Sequence, residues 1–405
     1  MLDRFEPHLY KLRCIHCENE VKEEDSHTRC PRCEGALNVE YDWTNVRKEK
    51  PHLYPLKGDD VVSLKEGRTP LYEVESLRME LGVKNLFVKN EGANPTGVFK
   101  DRGTWVEVSK AKELGAKSLI VASSGNMAAS CSAYAGKAGI PMYVFVPQKV
   151  PLGKLAQIVS YGARVIRIQG SYNDCVRLVH EFAPKFDMYT LGDYVFRREG
   201  QKGLAYELCD DLALDGKENA PDVVIVPTGA GTHIAALWKG FQEYHKLGII
   251  QKLPKMVAVQ PQGAAVIVEA FENKDPIYKE WYETQTICSA VDVEDPNDGV
   301  LAVKAVMESG GTAVKLPDQD ALHAQHLLAS REGIFTEHSS ALALAAVKPL
   351  KESGFLGEKD SVVCIATGNG LKDPVIPFTY LPESATFEPK DERAIKKELK
   401  RLMKN

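Results

Sequence analysis

The sequence predicts an α/β protein that is built on parallel sheets and preceded by a small cysteine-bearing unit. From about residue 85 onward, short β-rich segments alternate with helical ones. This alternation is typical of parallel strands joined by right-handed helical crossovers. Polar, glycine-bearing turns follow several of the predicted strands. Four of the nine cysteines lie together near the N-terminus, at Cys14, Cys17, Cys30 and Cys33.

The composition bounds the class of protein. With 405 residues, 44% of them hydrophobic, the chain is long enough for two or three domains with buried cores. A formal net charge of -5 gives no electrostatic footprint for nucleic acid or an anionic membrane. The early residues carry charges and lack the apolar core of a signal peptide, and no apolar segment is long enough to span a bilayer. We therefore expect a cytoplasmic protein without nucleic-acid or membrane partners.

The N-terminal unit, residues 1–43, predicts a zinc ribbon. It is charged, short of aliphatic residues and too small to fold without a cross-link or a metal. Two CxxC pairs separated by a dozen residues bring four thiolates to one tetrahedral ion, which would be structural because no open coordination position remains. Disulfides are the alternative, although a reducing compartment disfavours them. His16 and His27 are interpreted as bystanders.

The predicted elements follow in order along the rest of the chain. Strands are expected at 85–89, 118–122, 142–146, 165–168, 223–226, 257–259 and 361–365, and helices at 102–114, 127–138, 152–161, 173–182, 198–212 and 234–244. The densely charged residues 385–405 predict an exposed helix or a frayed tail. Because sites in such sheets lie at the carboxyl ends of strands, the polar turns there are the candidates for chemistry.

The first of these turns delivers one lysine to the start of a helix, in Asn94-Pro-Thr-Gly-Val-Phe-Lys100-Asp-Arg-Gly103. A lysine in such a sequence is ordinarily a surface residue. Here the stem follows Phe99 and the amine lies near the positive end of a helix dipole, which favours the neutral amine that Schiff-base chemistry requires.

Three further turns follow strands. Ala122-Ser-Ser-Gly-Asn126 offers backbone N–H groups and hydroxyls that suit a carboxylate, or it is a plain helix cap. Pro227-Thr-Gly-Ala-Gly-Thr232 is a glycine-rich loop that suits a phosphate at a helix N-terminus, although such loops are common in α/β folds. In Ala366-Thr-Gly-Asn-Gly-Leu-Lys-Asp-Pro374, Thr367 either points a hydroxyl at a ligand or closes a turn.

The order of these four motifs resembles the threonine synthase family, within the pyridoxal-phosphate enzymes of fold type II. The likeness covers almost the whole chain, and it includes Gly67-Arg-Thr-Pro-Leu71, Leu152-Gly-Lys-Leu-Ala-Gln157, Glu199-Gly-Gln-Lys202 and Glu337-His-Ser-Ser-Ala341. It implies a zinc ribbon at 1–43, a large domain at 44–104 and 191–384, a small α/β domain at 105–190, a charged tail at 385–405 and assembly as a homodimer.

The resemblance also implies roles for individual residues. Lys100 would hold pyridoxal phosphate as a Schiff base and shuttle protons, and Asn126 would hydrogen-bond the cofactor's 3′-hydroxyl. Thr367 would face the pyridine nitrogen, where a hydroxyl makes the ring a milder electron sink than a carboxylate would. The cofactor phosphate would bind to Gly229, Ala230, Gly231 and Thr232. The substrate would contact Ser123, Ser124, Lys154, Arg197 and His233.

Several positions depart from the family pattern. Met127 follows the asparagine where threonine is usual, and Leu191 and Gly192 replace two small polar residues. The phosphate loop lacks both of its usual asparagines, so that Ala230 and His233 stand there, while Val98 and Asn369 replace a serine and a histidine. Each lost hydrogen bond to a charged group costs about 1.5–3 kcal/mol unless it is replaced. His233 either compensates by binding an anion or is hydrogen-bonded locally.

The sequence therefore predicts a pyridoxal-phosphate lyase that performs elimination and replacement on an amino acid with an anionic leaving group. The default reaction is O-phosphohomoserine and water to threonine and phosphate. The alternatives are a cysteate-synthase-like replacement on phosphoserine, a dehydratase, or, in another class, a non-catalytic scaffold that binds a partner through the ribbon. The substrate, the oligomeric state and any allosteric ligand are not fixed by the sequence.

Overall fold

The computed structural model describes residues 5–24, 28–44, 46–49, 51–58, 60–150, 152–214, 219–274, 283–373, 388 and 392–403, with the backbone alone for 152–154. The chain divides into two compact units, residues 1–372 and 373–405. In the second unit, helix Glu392–Leu402 has no buried side chain. Among the described residues, no helix combines the length and the apolar character that crossing a bilayer requires.

The described residues form strands and helices in close alternation. The strands are β1 (Tyr10–Cys14), β2 (Glu20–Val21), β3 (Leu37–Tyr41), β4 (Leu71–Glu73), β5 (Asn85–Asn90), β6 (Leu119–Ala122), β7 (Met142–Pro147), β8 (Arg164–Ile168), β9 (Tyr189–Thr190), β10 (Val223–Pro227), β11 (Lys255–Pro261), β12 (Thr312–Leu316) and β13 (Ser361–Ala366). The helices are α1 (Glu75–Leu81), α2 (Asp101–Glu113), α3 (Asn126–Ala138), α4 (Leu152–Ser160), α5 (Tyr172–Lys185), α6 (Val195–Gln201), α7 (Gly203–Leu214), α8 (Thr232–Lys246), α9 (Val266–Glu272), α10 (Gly299–Glu308), α11 (Asp318–Glu332), α12 (His338–Ala345), α13 (Val347–Glu352) and α14 (Glu392–Leu402).

A six-stranded sheet in the order β12-β11-β10-β13-β5-β4 forms the centre of the first unit. Its neighbouring strands are parallel except for the antiparallel pair β4 and β5. Side chains alternate between its two faces, so that Val224 and Val363 pack in one apolar cluster while Val223 and Val362 pack in another. Burial on both faces is the property of a parallel sheet covered by helices, and the predicted α/β fold is confirmed.

A second, four-stranded parallel sheet has the order β8-β7-β6-β9. All of its strands come from residues 119–190, between β5 and β10 of the larger sheet. The turns after β6 and β9 therefore leave the same edge of this sheet, because parallel strands share their carboxyl ends. The domain boundaries expected from the sequence stay a prediction.

The N-terminal sheet is antiparallel, with β1 between β2 and β3. Elsewhere, one predicted helix differs from the structure: residues 198–212 are divided between α6 and α7. At the division, the N–H of Ala205 donates to the carbonyl of Lys202, three residues back. The side chain of Lys202, at this division, pairs with the buried carboxylates of Glu199 in α6 and Glu243 in α8.

Candidate active site

Lys100 lies at the end of a turn that is fixed by its own polar groups. The turn follows β5, and Lys100 is the N-cap of α2. The carboxylate of Asp101 accepts hydrogen bonds from the N–H and the hydroxyl of Thr96, at 2.7 and 2.6 Å. Gly97 has φ +82°, a conformation that favours glycine. The N–H of Phe99 donates to the carbonyl of Thr367 at 2.9 Å, so the turn is joined to the segment that follows β13.

The amine of Lys100 contacts a carboxylate. Its Nζ lies 3.1 Å from Oδ1 and 3.4 Å from Oδ2 of Asp193. Both side chains are largely enclosed, with 16% of Lys100 and 9% of Asp193 exposed. Asp193 follows β9, at the carboxyl edge of the four-stranded sheet. It was not among the residues expected from the sequence, which also did not predict β9, the short strand that places it at this edge.

The serine and asparagine turn follows β6 and begins α3. The hydroxyl of Ser123, two residues before the N-cap Gly125, accepts from the N–H groups of Gly125 and Ala128, both at 3.4 Å. Ser124 is partly exposed. The amide of Asn126 donates to the carboxylate of Glu337 at 3.0 Å. The turn therefore contains a hydroxyl that binds the backbone of the turn and an amide that binds Glu337.

Thr367 also lies close to the carboxylate of Glu337. Its hydroxyl is 2.7 Å from that of Ser340 and 3.5 Å from Oε1 of Glu337. The hydroxyl of Ser340 also accepts from the N–H of Gly368 at 2.8 Å. Asn126 and Thr367 thus contact one carboxylate, for which the sequence pattern predicted no role.

The glycine-rich loop runs from the end of β10 to the start of α8. Gly231 has φ +85° and precedes the first helical residue, Thr232. The first turn of a helix leaves its N–H groups without intrahelical partners, so this loop presents donors to an anion. The ring of His233, in that first turn, packs against Phe99 with the ring centroids 4.1 Å apart. This contact brings the loop next to the lysine turn.

Two buried side chains in the first turn of α8 carry polar atoms without a partner in the described part of the chain. The hydroxyl of Thr232 and both ring nitrogens of His233 have no hydrogen-bond partner among the described residues. Burial lowers the pKa of His233 well below its usual value, and the charges of Lys100 and Arg102 add to this effect, so the ring is neutral. Buried polar atoms are nearly always paired in native proteins. The loop therefore fits a ligand that carries its own hydrogen-bonding groups, as a phosphate does.

These observations test whether the site suits pyridoxal phosphate. That cofactor needs an amine for its aldehyde, donors for its phosphate and polar partners for its ring. Lys100, the loop at Gly229–Thr232, Asn126 and Thr367 supply these groups. Phe99 contacts His233, directly after the loop, and the carbonyl of Thr367, and Glu337 contacts both Asn126 and Thr367. The described residues fit the cofactor.

Arg197 and Lys154 were expected to bind the substrate, and of these two the structure describes the side chain of Arg197 alone. Arg197 is fully buried, and its guanidinium donates to the carbonyl of Gly192 at 2.8 Å and to the hydroxyl of Thr104 at 2.9 Å. It also pairs with Glu107 and contacts Cys131. These contacts engage the guanidinium inside the protein. The backbone of Lys154 belongs to α4, and its side chain lies outside the described residues.

The N-terminal cysteines form one cluster, in which all four Sγ atoms lie within 4.8 Å of one another. The pairs Cys14–Cys33, Cys17–Cys30 and Cys17–Cys33 are 3.4, 3.7 and 3.3 Å apart. Tetrahedral zinc with Zn–S bonds of about 2.3 Å places its sulfurs about 3.8 Å apart, so the cluster fits the ion. The cluster consists of cysteines, with His16 outside it, and His27 is outside the described residues.

Comparisons with known proteins agree with this geometry. A family model described as pyridoxal-phosphate dependent enzyme matches residues 62–368. The threonine synthase of Methanocaldococcus jannaschii is 42% identical over 380 residues, which cover 89% of this chain and 93% of that protein. The threonine synthase of Methanosarcina acetivorans is 38% identical over 381 residues, covering 90% and 93%.

A solved structure of maize serine racemase superposes with a TM-score of 0.66, at 20% identity, over 83% of this chain and 94% of that one. Sequence identity at this level makes it evidence for the fold alone. The described sheets and the polar turns at their carboxyl ends agree with such a fold.

Proposed function

The chain belongs to the threonine synthase family of pyridoxal-phosphate-dependent enzymes, and from this premise we propose that it converts O-phosphohomoserine and water into threonine and phosphate. It is thus a carbon–oxygen lyase that acts on a small amino acid. The observation that carries the proposal is the contact of Phe99, next to Lys100, with both Thr367 and His233, in a chain that is 42% identical to a threonine synthase over 89% of its length.

The cofactor would be held by residues from all four segments. Lys100 would bind it covalently, Asn126 would hydrogen-bond its 3′-hydroxyl and Thr367 would face the pyridine nitrogen. Gly229, Ala230, Gly231 and Thr232 would bind its phosphate through backbone N–H groups and the hydroxyl of Thr232, which has no partner among the described residues. When bound, pyridoxal phosphate withdraws electrons from the substrate's Cα and makes the proton there acidic.

The chain's own groups would bind the substrate and move its protons. Ser123 and Ser124 lie just before α3 and would bind the substrate carboxylate through their hydroxyls and the N–H of Ser124, where the helix dipole favours an anion. The N–H of Ser123 donates to the carbonyl of Phe145. The amine of Lys100 would take the proton from Cα and return protons later in the reaction. The apolar ring of Phe99 beside that amine helps to exclude water.

The substrate's phosphate end would contact Lys154 and His233. Neutral His233 has no partner for either ring nitrogen within the described part of the chain, and it can donate one hydrogen bond from its protonated nitrogen. We assign Arg197 an indirect part, since its guanidinium already contacts Gly192, Thr104, Glu107 and Cys131. It would shape the site through Gly192 and the adjacent Asp193.

A second candidate in the same class is replacement on phosphoserine or simple dehydration. The contact between Asp193 and Lys100 favours dehydration of an amino acid without a phosphate, because a carboxylate beside the reacting amine repels the phosphate dianion of either phosphorylated substrate. The changes at Met127, Leu191 and Gly192 point in the same direction. Both candidates use the same cofactor residues and differ in the substrate and in what is added to it.

The experiment offers the purified holoenzyme O-phosphohomoserine, phosphoserine with sulfite, and L-serine, and it measures phosphate, threonine, cysteate and keto acid. Threonine and phosphate in equal amounts from O-phosphohomoserine would support the default. Turnover of another substrate without any threonine from O-phosphohomoserine would overturn it. Lys100→Ala should lose all turnover and the visible absorbance of bound cofactor, while Lys112→Ala, on the exposed side of the same helix, should keep both.

The proposal extends to the metal and the assembly. Cys14, Cys17, Cys30 and Cys33 would hold one structural zinc ion, since four thiolates leave no position for a substrate. We further propose a homodimer, which rests on the family resemblance. A cytoplasmic location is proposed because the five other cysteines are buried free thiols. Light scattering and metal analysis of the purified protein test the first two points.

A further inference from the structure

The carboxylate of Asp193 is held next to Lys100 by a buried frame that does not depend on their ion pair. The neighbouring Gly192 donates its N–H to Glu107 at 2.8 Å and accepts at its carbonyl from Arg197, also at 2.8 Å. Asp193 therefore follows a residue whose N–H and carbonyl are both hydrogen-bonded to buried charged side chains. Helix α6 begins two residues later and fixes the other end.

The same arginine also supports the backbone of Lys100. Arg197 donates to the hydroxyl of Thr104, which in turn donates to the carbonyl of Lys100 at 2.9 Å. A Cβ on Gly103 would lie 2.6 Å from the side chain of Arg197, so α2 and α6 approach as closely as glycine allows. One buried cation thus sets the positions of both residues of the pair.

An ion pair between Lys100 and Asp193 serves little purpose as a structural link. In the proposed reaction, the nitrogen of Lys100 is bonded in turn to the cofactor and released. A link that adds stability alone would be broken in each turnover, whereas Arg197, Thr104 and Glu107 already join the same elements. The carboxylate is well placed to act on the amine when it is free.

We propose that Asp193 is a catalytic residue that holds and orients the ammonium of Lys100 during proton transfer, which deepens the function proposed above and rests on it. In that step the C–H bond at Cα breaks and its electron pair stays with the substrate. The proton forms a new N–H bond with Nζ of Lys100. The carboxylate of Asp193 accepts a hydrogen bond from this ammonium, and no proton passes to Asp193. Lys100 then returns the proton to the substrate.

The assignment predicts how Asp193→Asn behaves in the loaded enzyme. Exchange of the Cα hydrogen of L-threonine with deuterium from solvent, followed by NMR, should slow about ten- to hundredfold, as expected for a lost hydrogen bond to a charged group. The absorbance of the bound cofactor is used to match the cofactor content of wild type and variant, so that the exchange rates compare loaded enzymes. Asp193→Glu, which keeps the charge, should exchange faster than Asp193→Asn.

A second readout uses the cofactor-free protein. In the wild-type protein, the carboxylate of Asp193 holds the amine of Lys100 at 3.1 Å, and the amine must leave this contact before it can react. The labelling of Lys100 by an amine-directed acylating reagent, quantified by mass spectrometry, should therefore be about tenfold faster in Asp193→Asn than in wild type. The control is Asp187→Asn, at an exposed carboxylate on the turn before β9, and it should behave as wild type in both assays.

The two readouts separate this proposal from the proposed function. If the wild type formed no threonine from O-phosphohomoserine, the substrate assignment would fail, and the labelling of Lys100 would still decide the role of Asp193. Labelling of Lys100 at the wild-type rate in Asp193→Asn would overturn the role of Asp193, whatever the substrate is. Unchanged Cα exchange in the loaded Asp193→Asn enzyme would overturn it as well.

Discussion

The carbonyl oxygen of Asp298 occupies the space beside Gly231, only 2.7 Å from where a Cβ on that glycine would lie. The N–H of Asp298 also donates to the carbonyl of Ala230 at 2.9 Å. The glycine-rich loop is therefore packed, backbone against backbone, on the segment that leads into α10. Because Gly231 also has φ +85°, two independent constraints require glycine at this position.

We predict that Gly231→Ala weakens the binding of pyridoxal phosphate about ten- to hundredfold. The added methyl group cannot be accommodated without moving the loop, and strain of this kind costs about 1–3 kcal/mol. The displaced loop would then misplace the N–H groups that bind the phosphate. Equilibrium dialysis of the cofactor against the purified variant measures the effect.

The matched control is Gly115→Ala. Gly115 has a similar φ of +75°, but nothing lies within 4 Å of the point that its Cβ would occupy, and it follows α2 on the side away from the site. It should lose comparable stability from backbone strain and keep its cofactor affinity. An equal loss of cofactor in both variants would show that strain, and not the packing on Asp298, governs the loop.

A second prediction concerns Arg197. Arg197→Met should lower the free energy of unfolding of the cofactor-free protein by about 3–5 kcal/mol, because the buried carboxyl of Glu107 loses its ion-pair partner. Urea unfolding without cofactor measures this directly. Arg177→Met, at an arginine paired with Glu181 on the surface of α5, should cost less than about 1 kcal/mol.

An unchanged unfolding free energy in Arg197→Met, together with a raised KM for the substrate, would contradict this positioning role. It would instead support the direct substrate contact that the sequence pattern suggested for Arg197. The two outcomes are distinguishable because one appears without substrate and the other depends on it.

Much of the fold and the cofactor site was predictable because its signals are local. Parallel strands are short and apolar, and the turns at Lys100, Asn126, Gly231 and Thr367 follow them directly in the sequence. The α/β class, the family and the pyridoxal-phosphate cofactor expected from these signals are confirmed. The roles of the individual residues stay predictions.

The contacts that escaped prediction join residues far apart in the chain. Asp193 and Lys100 are 93 positions apart in the sequence, and Arg197 and Glu107 are 90 positions apart. Nothing in a single sequence indicates which of many charged residues will be paired across such distances. The division of the predicted helix at Lys202 has a similar cause, since that lysine pairs with Glu243, 41 positions later.

A third prediction concerns pH. Burial raises the pKa of Asp101 to about 6 in the folded protein, although hydrogen bonds from Ser130 and Thr96 oppose the shift. The folded state therefore binds a proton that the unfolded state has already released. The stability that this proton contributes is fully present below the unfolded pKa of 3.8 and is lost as the pH rises through 6.

Wild type should accordingly lose up to about 3 kcal/mol of stability, relative to Asp101→Asn, between pH 4 and about pH 7. Urea unfolding at several pH values, with the cofactor removed, measures the difference between the two proteins. Asp187→Asn, which changes an exposed carboxylate, should show no such trend against wild type. A difference that stays constant with pH would mean that Asp101 does not titrate in this interval.

The last prediction joins the cysteine cluster to the cofactor loop. Arg198 is buried and bridges the two regions: Nη1 donates to Asp298 at 2.8 Å, and Nη2 donates to the carbonyl of Leu37 in β3. Arg29, just before Cys30, also donates to the side chain of Asn297 at 2.8 Å. The N-terminal sheet is thus connected, through Asn297 and Asp298, to the segment on which Gly231 packs.

Cys30→Ala should therefore lose the bound zinc, lower the melting temperature and weaken cofactor binding several-fold, since the support of Asp298 becomes mobile without the metal. Metal analysis, thermal melting and cofactor dialysis follow the three effects. Cys175→Ala removes an equally buried free thiol from α5 and should keep zinc and cofactor. If Cys30→Ala lost the metal and yet kept wild-type cofactor affinity, the contacts of Arg198 with Leu37 and Asp298 would not couple the metal site to the cofactor loop. A wild-type protein purified without zinc would remove the premise, because the thiols would then be held in place by protein contacts alone.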